Sequence, residues 1–160
     1  MAKLTDIDLK ILEILQNEGD IRNVQLAELV CLSPSPCLQR VRKLRMQGYI
    51  SAVSAIVNLR KIAPHVVVHC SIRLSEQTLQ QYRVFDAAVQ KIPEIVECSQ
   101  ISGEYDYLLK LVVRDIEDFG RILNRMMEMN IGVKNHASLV EVRSVKRSPA
   151  MPIRHLLNQP

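Results

Sequence analysis

Between Ser33 and Lys61 the chain carries Arg40, Arg42, Lys43, Arg45, Arg60 and Lys61 and no acidic residue. A basic run of this kind suits a polyanion. Arg makes bidentate contacts to guanine O6/N7, and Lys pairs with phosphates. Just upstream, "SPSPCLQ" places Ser33 and Ser35 where a hydroxyl or a free N–H holds phosphate at a helix N-terminus. Ser35 is the expected N-cap, with Pro36 at the first helical position. Gln39, Arg40, Arg42 and Lys43 are then expected on outward faces of that helix, with Leu38, Val41 and Leu44 inward. The candidate DNA-contacting residues are Ser33, Ser35, Pro36, Gln39, Arg40, Arg42 and Lys43. A solvated, charged helix surface is the competing reading.

A second stretch, "ISGEYDYLLKLVV" (101–113), sets an acidic, glycine-bearing turn against an apolar run. That chemistry suits a small zwitterion. Backbone N–H groups near Gly103 are open to an α-carboxylate, because glycine permits close approach. Asp106 is placed to accept an α-ammonium in a charge-assisted hydrogen bond, and Glu104 is a more solvated alternative. On the residues alone, a simple hairpin turn, with Gly103 serving a positive φ and the acids solvated, is the better reading.

Other constellations are weak. His69 and Cys70 are adjacent on a strand-like segment, so their side chains face opposite ways and form no nucleophile–base pair. His65, His69, His136 and His155 are not at metal-ligand spacing, and Cys31, Cys37, Cys70 and Cys98 form no C-x-x-C pair. No metal site, no catalytic residue and no cofactor are expected. Packing against Val41 is the expected role of Cys37, with oxidation of a low-pKa thiol as the alternative.

These residues need elements to position them. Thr5 and Asp8 form a T-x-x-D start signal, and Ile7, Ile11, Ile14 and Leu15 follow at helical spacing to about Gln16. Leu26, Leu29 and Val30 mark a short second helix from about Asn23. The third helix runs from the Ser-Pro turn to about Gln47, where Gly48 stops it. Helices two and three have helix-turn-helix proportions. "SAVSAIVNL" reads as a strand, and Pro64 closes a linker. Strands at 66–74, 96–102, 107–113 and 133–143 and helices around Leu79–Ile92 and Ile116–Met126 then follow in β-α-β-β-α-β order, the ferredoxin-like sequence. In 107–113 both side-chain parities are largely apolar. Two helices cover one face of such a sheet, so a second copy of the chain is expected on the other, with a single hydrophobic monomer core as the alternative.

The totals agree with two small domains in 160 residues, 48% apolar and 24% charged. Residues 1–65 hold nine Lys/Arg and six Asp/Glu, residues 66–142 eight and eleven, and residues 143–160 four and none. A basic half joined to an acidic half points to one part that meets a polyanion and another with a different task. No stretch reaches membrane-span length, and the N-terminus has no apolar signal core, so a cytoplasmic protein is expected. With four Tyr, two Phe and no Trp, the stacking surface of an RNA-recognition sheet is missing. A small-molecule sensor with no DNA role remains the alternative.

The segment "DIDLKILEILQNEGDIRNVQLAELVCLSPSPCLQRVRKLRMQGYI" resembles the N-terminal domain of the Lrp/AsnC (feast/famine) transcriptional regulators. The "SGEYDYLLK" motif is similar to that family's sensing domain, and the resemblance spans roughly residues 4–147. It implies an α+β protein: an N-terminal helix-turn-helix (winged-helix-like) domain, 1–51, a linker strand, 52–64, a ferredoxin-like effector and oligomerisation domain, 65–147, and a tail, 148–160. It also implies double-stranded DNA as partner, a homodimer assembling to an octamer, an amino acid effector and a nucleoid-associated location in a bacterium or archaeon. The effector residues it implies are Ser102, Gly103, Glu104, Tyr105, Asp106, Ser138 and Val140. One departure is Cys31, at a turn position where the family usually has Gly. A positive φ there costs Cys roughly 1 kcal/mol.

Overall fold

A computed structural model describes residues 4–148 and 150–157. The described residues form two compact units, one from the segments up to Val57 and from Lys146 onward, the other from Asn58–Val145.

The first unit begins with α1 (Asp6–Asn17). Its start is a complete capping box: the Thr5 hydroxyl accepts the Asp8 N–H at 3.3 Å, and the Asp8 carboxylate accepts the Thr5 N–H at 2.9 Å. Two further helices follow, α2 (Asn23–Leu29) and α3 (Pro34–Met46). The apolar stripes of all three meet in a core of Ile11, Leu12, Leu26, Ala27, Val30, Cys37, Val41 and Leu44.

The turn between α2 and α3 is a Schellman closure. Leu32 N–H donates to Ala27 O at 2.9 Å, Cys31 N–H donates to Glu28 O at 3.1 Å, and Leu32 packs on the core. That geometry needs a left-handed residue between them, and Cys31 supplies it at φ 56°. The end of α3 repeats the pattern with a glycine, Gly48 at φ 78°, while Tyr49 N–H reaches Leu44 O at 3.0 Å.

Three expectations for α3 change. Its N-cap is Ser33 and its first residue Pro34, one Ser-Pro step before Ser35 and Pro36. Both steps have the same local chemistry, and Pro36 still falls in the first turn, where a missing N–H breaks no helical bond. The inward position expected for Leu38 belongs to Cys37, while Leu38 is partly exposed; Leu29 of α2 is exposed as well.

The segment 52–64 is not a strand. It is irregular apart from a 3-10 turn at Leu59–Lys61. A strand needs a ladder partner for its backbone groups, and apolar composition supplies none. Val53, Ile56 and Val57 are exposed there.

The second unit is built from β1 (Val66–Leu74), α4 (Leu79–Val89), β2 (Ile95–Gln100), β3 (Tyr107–Val113), α5 (Ile116–Glu128) and β4 (Val133–Val140). Thr78 caps α4 by accepting the Gln81 N–H at 3.2 Å, and Asp115 caps α5 by accepting the Asp118 N–H at 2.7 Å. The sheet order is β2-β3-β1-β4, antiparallel throughout, which is the ferredoxin-like arrangement. Strands β2 and β4 stop at Gln100 and Val140, short of the expected 102 and 143. Beyond Gln100 the backbone closes a loop instead, Ile101 N–H donating to Asp106 O at 2.9 Å.

Register separates the two sheet faces. Tyr107, Leu109 and Leu111 stand opposite Ile72, Cys70 and Val68, all buried with Phe85, Ile122 and Met126 of the helices. On the other face Leu108 lines up with Ser71 and Ala137, Lys110 with His69 and Leu139, and Val112 with Val67. There Leu108 is 39% and Leu139 69% exposed, so an apolar patch faces outward.

The tail, which has no clear periodicity in the sequence, returns to the first unit. A short helix, α6 (Ile153–Leu156), lies against α1. Arg154 reaches Glu13 at 2.9 Å and Asp6 at 2.8 Å, and Met151 N–H donates to Gln16 Oε1 at 2.6 Å. Ile153 packs on the helical core. Pro149 and residues 158–160 of the tail, like residues 1–3 of the expected first domain, lie outside the described residues.

Candidate nucleic-acid interface and effector loop

Successive helix residues are rotated by about 100°. On α3 this puts Ser35, Gln39, Arg42 and Met46 on one stripe, with Pro36 and Lys43 beside it, opposite the buried Cys37, Val41 and Leu44. All six of those outward residues are exposed, and so is Ser33. The start of α3 is pinned to α2 by Asn23, whose Nδ2 donates to Pro34 O at 2.8 Å. Ser33 makes no side-chain capping bond, so its hydroxyl is uncommitted. Pro34 and Pro36 have no N–H, which leaves Ser35 as the only N–H donor among the first three helical residues. The result is an acid-free face with hydroxyl, amide and cationic groups, the set that contacts phosphates and base edges.

Arg40 is not part of that face. It lies on the flank next to the buried stripe, and its Nη1 is 2.9 Å from Asp8 Oδ1. Burial pushes the Asp8 carboxyl up, but hydrogen bonds from Thr5 and Arg40 outweigh it and hold the group below its ordinary value of 3.8. The structure therefore gathers Ser33, Ser35, Pro36, Gln39, Arg42 and Lys43 and turns Arg40 back toward α1.

In the second unit, Ser102, Gly103 and Glu104 are exposed and Tyr105 is half-buried. Gly103 has φ 127°, and a Cβ there would meet nothing within 4 Å. The constraint on this glycine is its backbone conformation, not crowding. Asp106 departs from expectation. It is the one charged residue buried among the described residues, at 5% exposure. Its carboxylate accepts the Leu74 N–H at 2.8 Å and Gln77 Nε2 at 2.9 Å, and its own N–H donates to Ile72 O at 2.8 Å. These bonds fasten the loop to the end of β1, one to each carboxylate oxygen and one from the Asp106 N–H.

Ser138 and Val140 sit elsewhere on the sheet. Ser138 pairs with Cys70, its Oγ 3.6 Å from the thiol sulfur, and Val140 pairs with Val68. From Asp106 to Ser138 is two strand spacings across and three residues along, about 10 Å in each direction. One chain does not bring residues 102–106 and 138–140 into one cavity.

Three thiols and the buried tyrosine hold their protons more tightly than usual. Burial pushes Cys37 and Cys70 up, and burial with the Asp86 charge pushes Cys98 up to about 11. Cys37 packs in the core, as its sequence setting suggests. Tyr107 donates its hydroxyl to Asp86 at 2.8 Å; burial and then that carboxylate hold the phenol above its ordinary range. Gln77 and the Asp8–Arg40 pair were missed from sequence. The T-x-x-D signal located Asp8, but its partner lies 32 residues on.

Comparison with known proteins follows the same division. Residues 4–51 match a winged helix-turn-helix DNA-binding family, and residues 67–151 match the Lrp/AsnC ligand binding domain. Over 151 residues the chain is 38% identical to the leucine-responsive regulatory protein of Salmonella typhimurium, covering 94% of this chain and 92% of that one. The protein of the same name from Escherichia coli K12 is similar to the same extent, 38% over 151 residues. Among solved structures, a transcriptional regulator from Neisseria meningitidis in complex with L-Met superposes with a TM-score of 0.89 at 30% identity, over 96% of this chain and 99% of that one. An AsnC family transcriptional regulator from Agrobacterium tumefaciens gives 0.89 at 31% identity, with the same coverage of 96% and 99%. With a DNA-binding match on the helical unit, a ligand-binding match on the sheet unit and a full-length relative at 38% identity, the chain belongs to the Lrp/AsnC family of transcriptional regulators.

Proposed function

We propose that this regulator binds specific duplex DNA through α3 and that a bound amino acid sets its DNA affinity or oligomeric state. The observation that carries the DNA reading is the exposed, acid-free stripe of Ser35, Gln39 and Arg42, with Ser33, Pro36 and Lys43 beside it. The amino acid reading is supported by the ligand-binding match and by the L-Met bound to the Neisseria regulator. The loop 102–105, with Gly103 at its centre, is the proposed contact for the effector. Asp106 supports that loop from beneath, and Ser138 and Val140 join the pocket from a second subunit.

The outward apolar patch around Leu108 and Leu139 supports a homodimer formed sheet to sheet, since monomers rarely leave such a face uncovered. Assembly of dimers to an octamer is part of the same proposal, as is work at the chromosome in the cytoplasm. Among the described residues no helix is long and apolar enough to cross a membrane.

The test is fluorescence anisotropy with an operator selected from random duplexes, measured against salt and against a panel of amino acids. Specific binding should weaken linearly in log–log form, with a slope near 0.9 per neutralised phosphate. At least one amino acid should shift the midpoint or the oligomer. Binding that ignores both sequence and salt would refute the DNA role.

A further inference from the structure

The acid-free run contains one arginine with a task unlike its neighbours'. Among the described residues, Gln39, Arg42 and Lys43 make no side-chain hydrogen bond or ion pair. Arg40 makes two contacts on α1's start, Nη1 lying 2.9 Å from Asp8 Oδ1 and 3.4 Å from Thr5 Oγ1. The receiving group is itself fixed. The other Asp8 oxygen accepts the Thr5 N–H at 2.9 Å and the Thr5 hydroxyl at 2.6 Å. The Asp8 side chain is only 15% exposed. A carboxylate held by two donors on a capping box is a rigid anchor, and a charge-assisted bond to it fixes the angle of whatever carries the arginine.

We infer that Arg40 is a positioning residue, which sets the angle of the DNA-facing helix against α1 through Asp8 and touches no base. The inference rests on the DNA-binding reading above. Two polar pins then hold α3: Asn23 to Pro34 O at its start, and Arg40 to Asp8 half-way along. Gln39, Arg42 and Lys43 are left to read and to neutralise.

The test uses the full chain with Arg40→Ala, Asp8→Ala and the double variant. Arg40→Gln and Asp8→Asn keep hydrogen-bonding groups in place should either alanine variant fail to fold. Each single change should weaken operator binding about tenfold, and the double change no further, because both break one link. Base preference on randomised operators should stay as in the wild type. The affinity for non-specific DNA and its salt slope should stay as well, whereas a lost phosphate contact lowers that slope by about 1. The inference is overturned if freeing Arg40 by the Asp8 change leaves binding intact or tightens it while the Arg40 change relaxes one base position. A reduced salt slope in the Arg40 variant overturns it too. Wild-type protein with no preference for operator over scrambled duplex would overturn the DNA reading beneath it, an outcome distinct from both.

Discussion

Asp106 offers the sharpest test of how the effector loop is built. In Asp106→Ala the Leu74 N–H, now bonded at 2.8 Å, stays buried with no acceptor, and Gln77 loses its partner at 2.9 Å. A buried donor left unsatisfied costs about 1–3 kcal/mol, and bonds to a charged group lie in the upper part of that range. The expected loss is about 2–3 kcal/mol. At about 2–4 °C per kcal/mol for a chain of this size, the melting midpoint should fall by about 4–12 °C. Asp106→Asn is milder. Its amide oxygen still accepts the Leu74 N–H, and Gln77 turns its own amide to match, so the loss should be about 1 kcal/mol or less. Thermal unfolding by circular dichroism gives the stability, and calorimetric titration with an amino acid panel gives the ligand affinity. Asp106→Asn should keep effector binding, because the carboxylate serves the loop. A folded Asp106→Asn protein that binds no effector would show that the charge itself meets the ligand. An Asp106→Ala protein that melts with the wild type would show that the buried bonds stabilise nothing.

Other perturbations act at separate places. Cys31→Gly relieves a left-handed residue at φ 56° and should stabilise the helical unit by about 0.5–1 kcal/mol, read as a higher urea midpoint. Leu139→Glu puts a charge on the outward sheet face and should yield monomers in light scattering, with circular dichroism unchanged. Asp8 and Asp118 have folded carboxyl pKa values below the ordinary 3.8, Asp118 through hydrogen bonds from Arg114 and Arg121. Their contribution is therefore complete above that value and lost as pH falls through the lower folded ones, so the urea midpoint should hold from about pH 7 to 5 and drop below about pH 4. Arg154→Ala removes two half-exposed ion pairs and should speed amide exchange in α1 and not in the sheet.

What the sequence showed and what it hid divide by the range of the interaction. Thr5 with Asp8, Gly48 after Leu44, and the apolar run Tyr107–Val113 are local patterns, and each became the element it suggested. The family motifs extended that reading to the order of both units. The two Ser-Pro steps of α3 defeated it because Ser33 and Ser35 are locally equivalent, and only packing of Cys37 rather than Leu38 selects between them. Composition made 52–64 look like a strand, but a strand is a pairing, and pairing is not written in one segment. Arg40 and Asp106 were placed by type, as a cation for DNA and an anion for an ammonium. Each bonds in the structure to a partner about 30 residues away, Asp8 at a separation of 32 and Gln77 at 29. Arg154 had no local signal, since its partners lie 141 and 148 positions earlier.

The returning tail also orders events during synthesis. The three helices of the DNA-facing unit emerge first, yet Glu13, Asp6 and Gln16 must wait for Met151 and Arg154. At about 5–20 residues per second, the intervening stretch takes roughly seven to thirty seconds to make. In that interval the sheet unit between them has time to fold. A nascent chain thus carries its helix-turn-helix without its last side, and the regulator acquires a finished DNA-binding unit only after its sensor has been made.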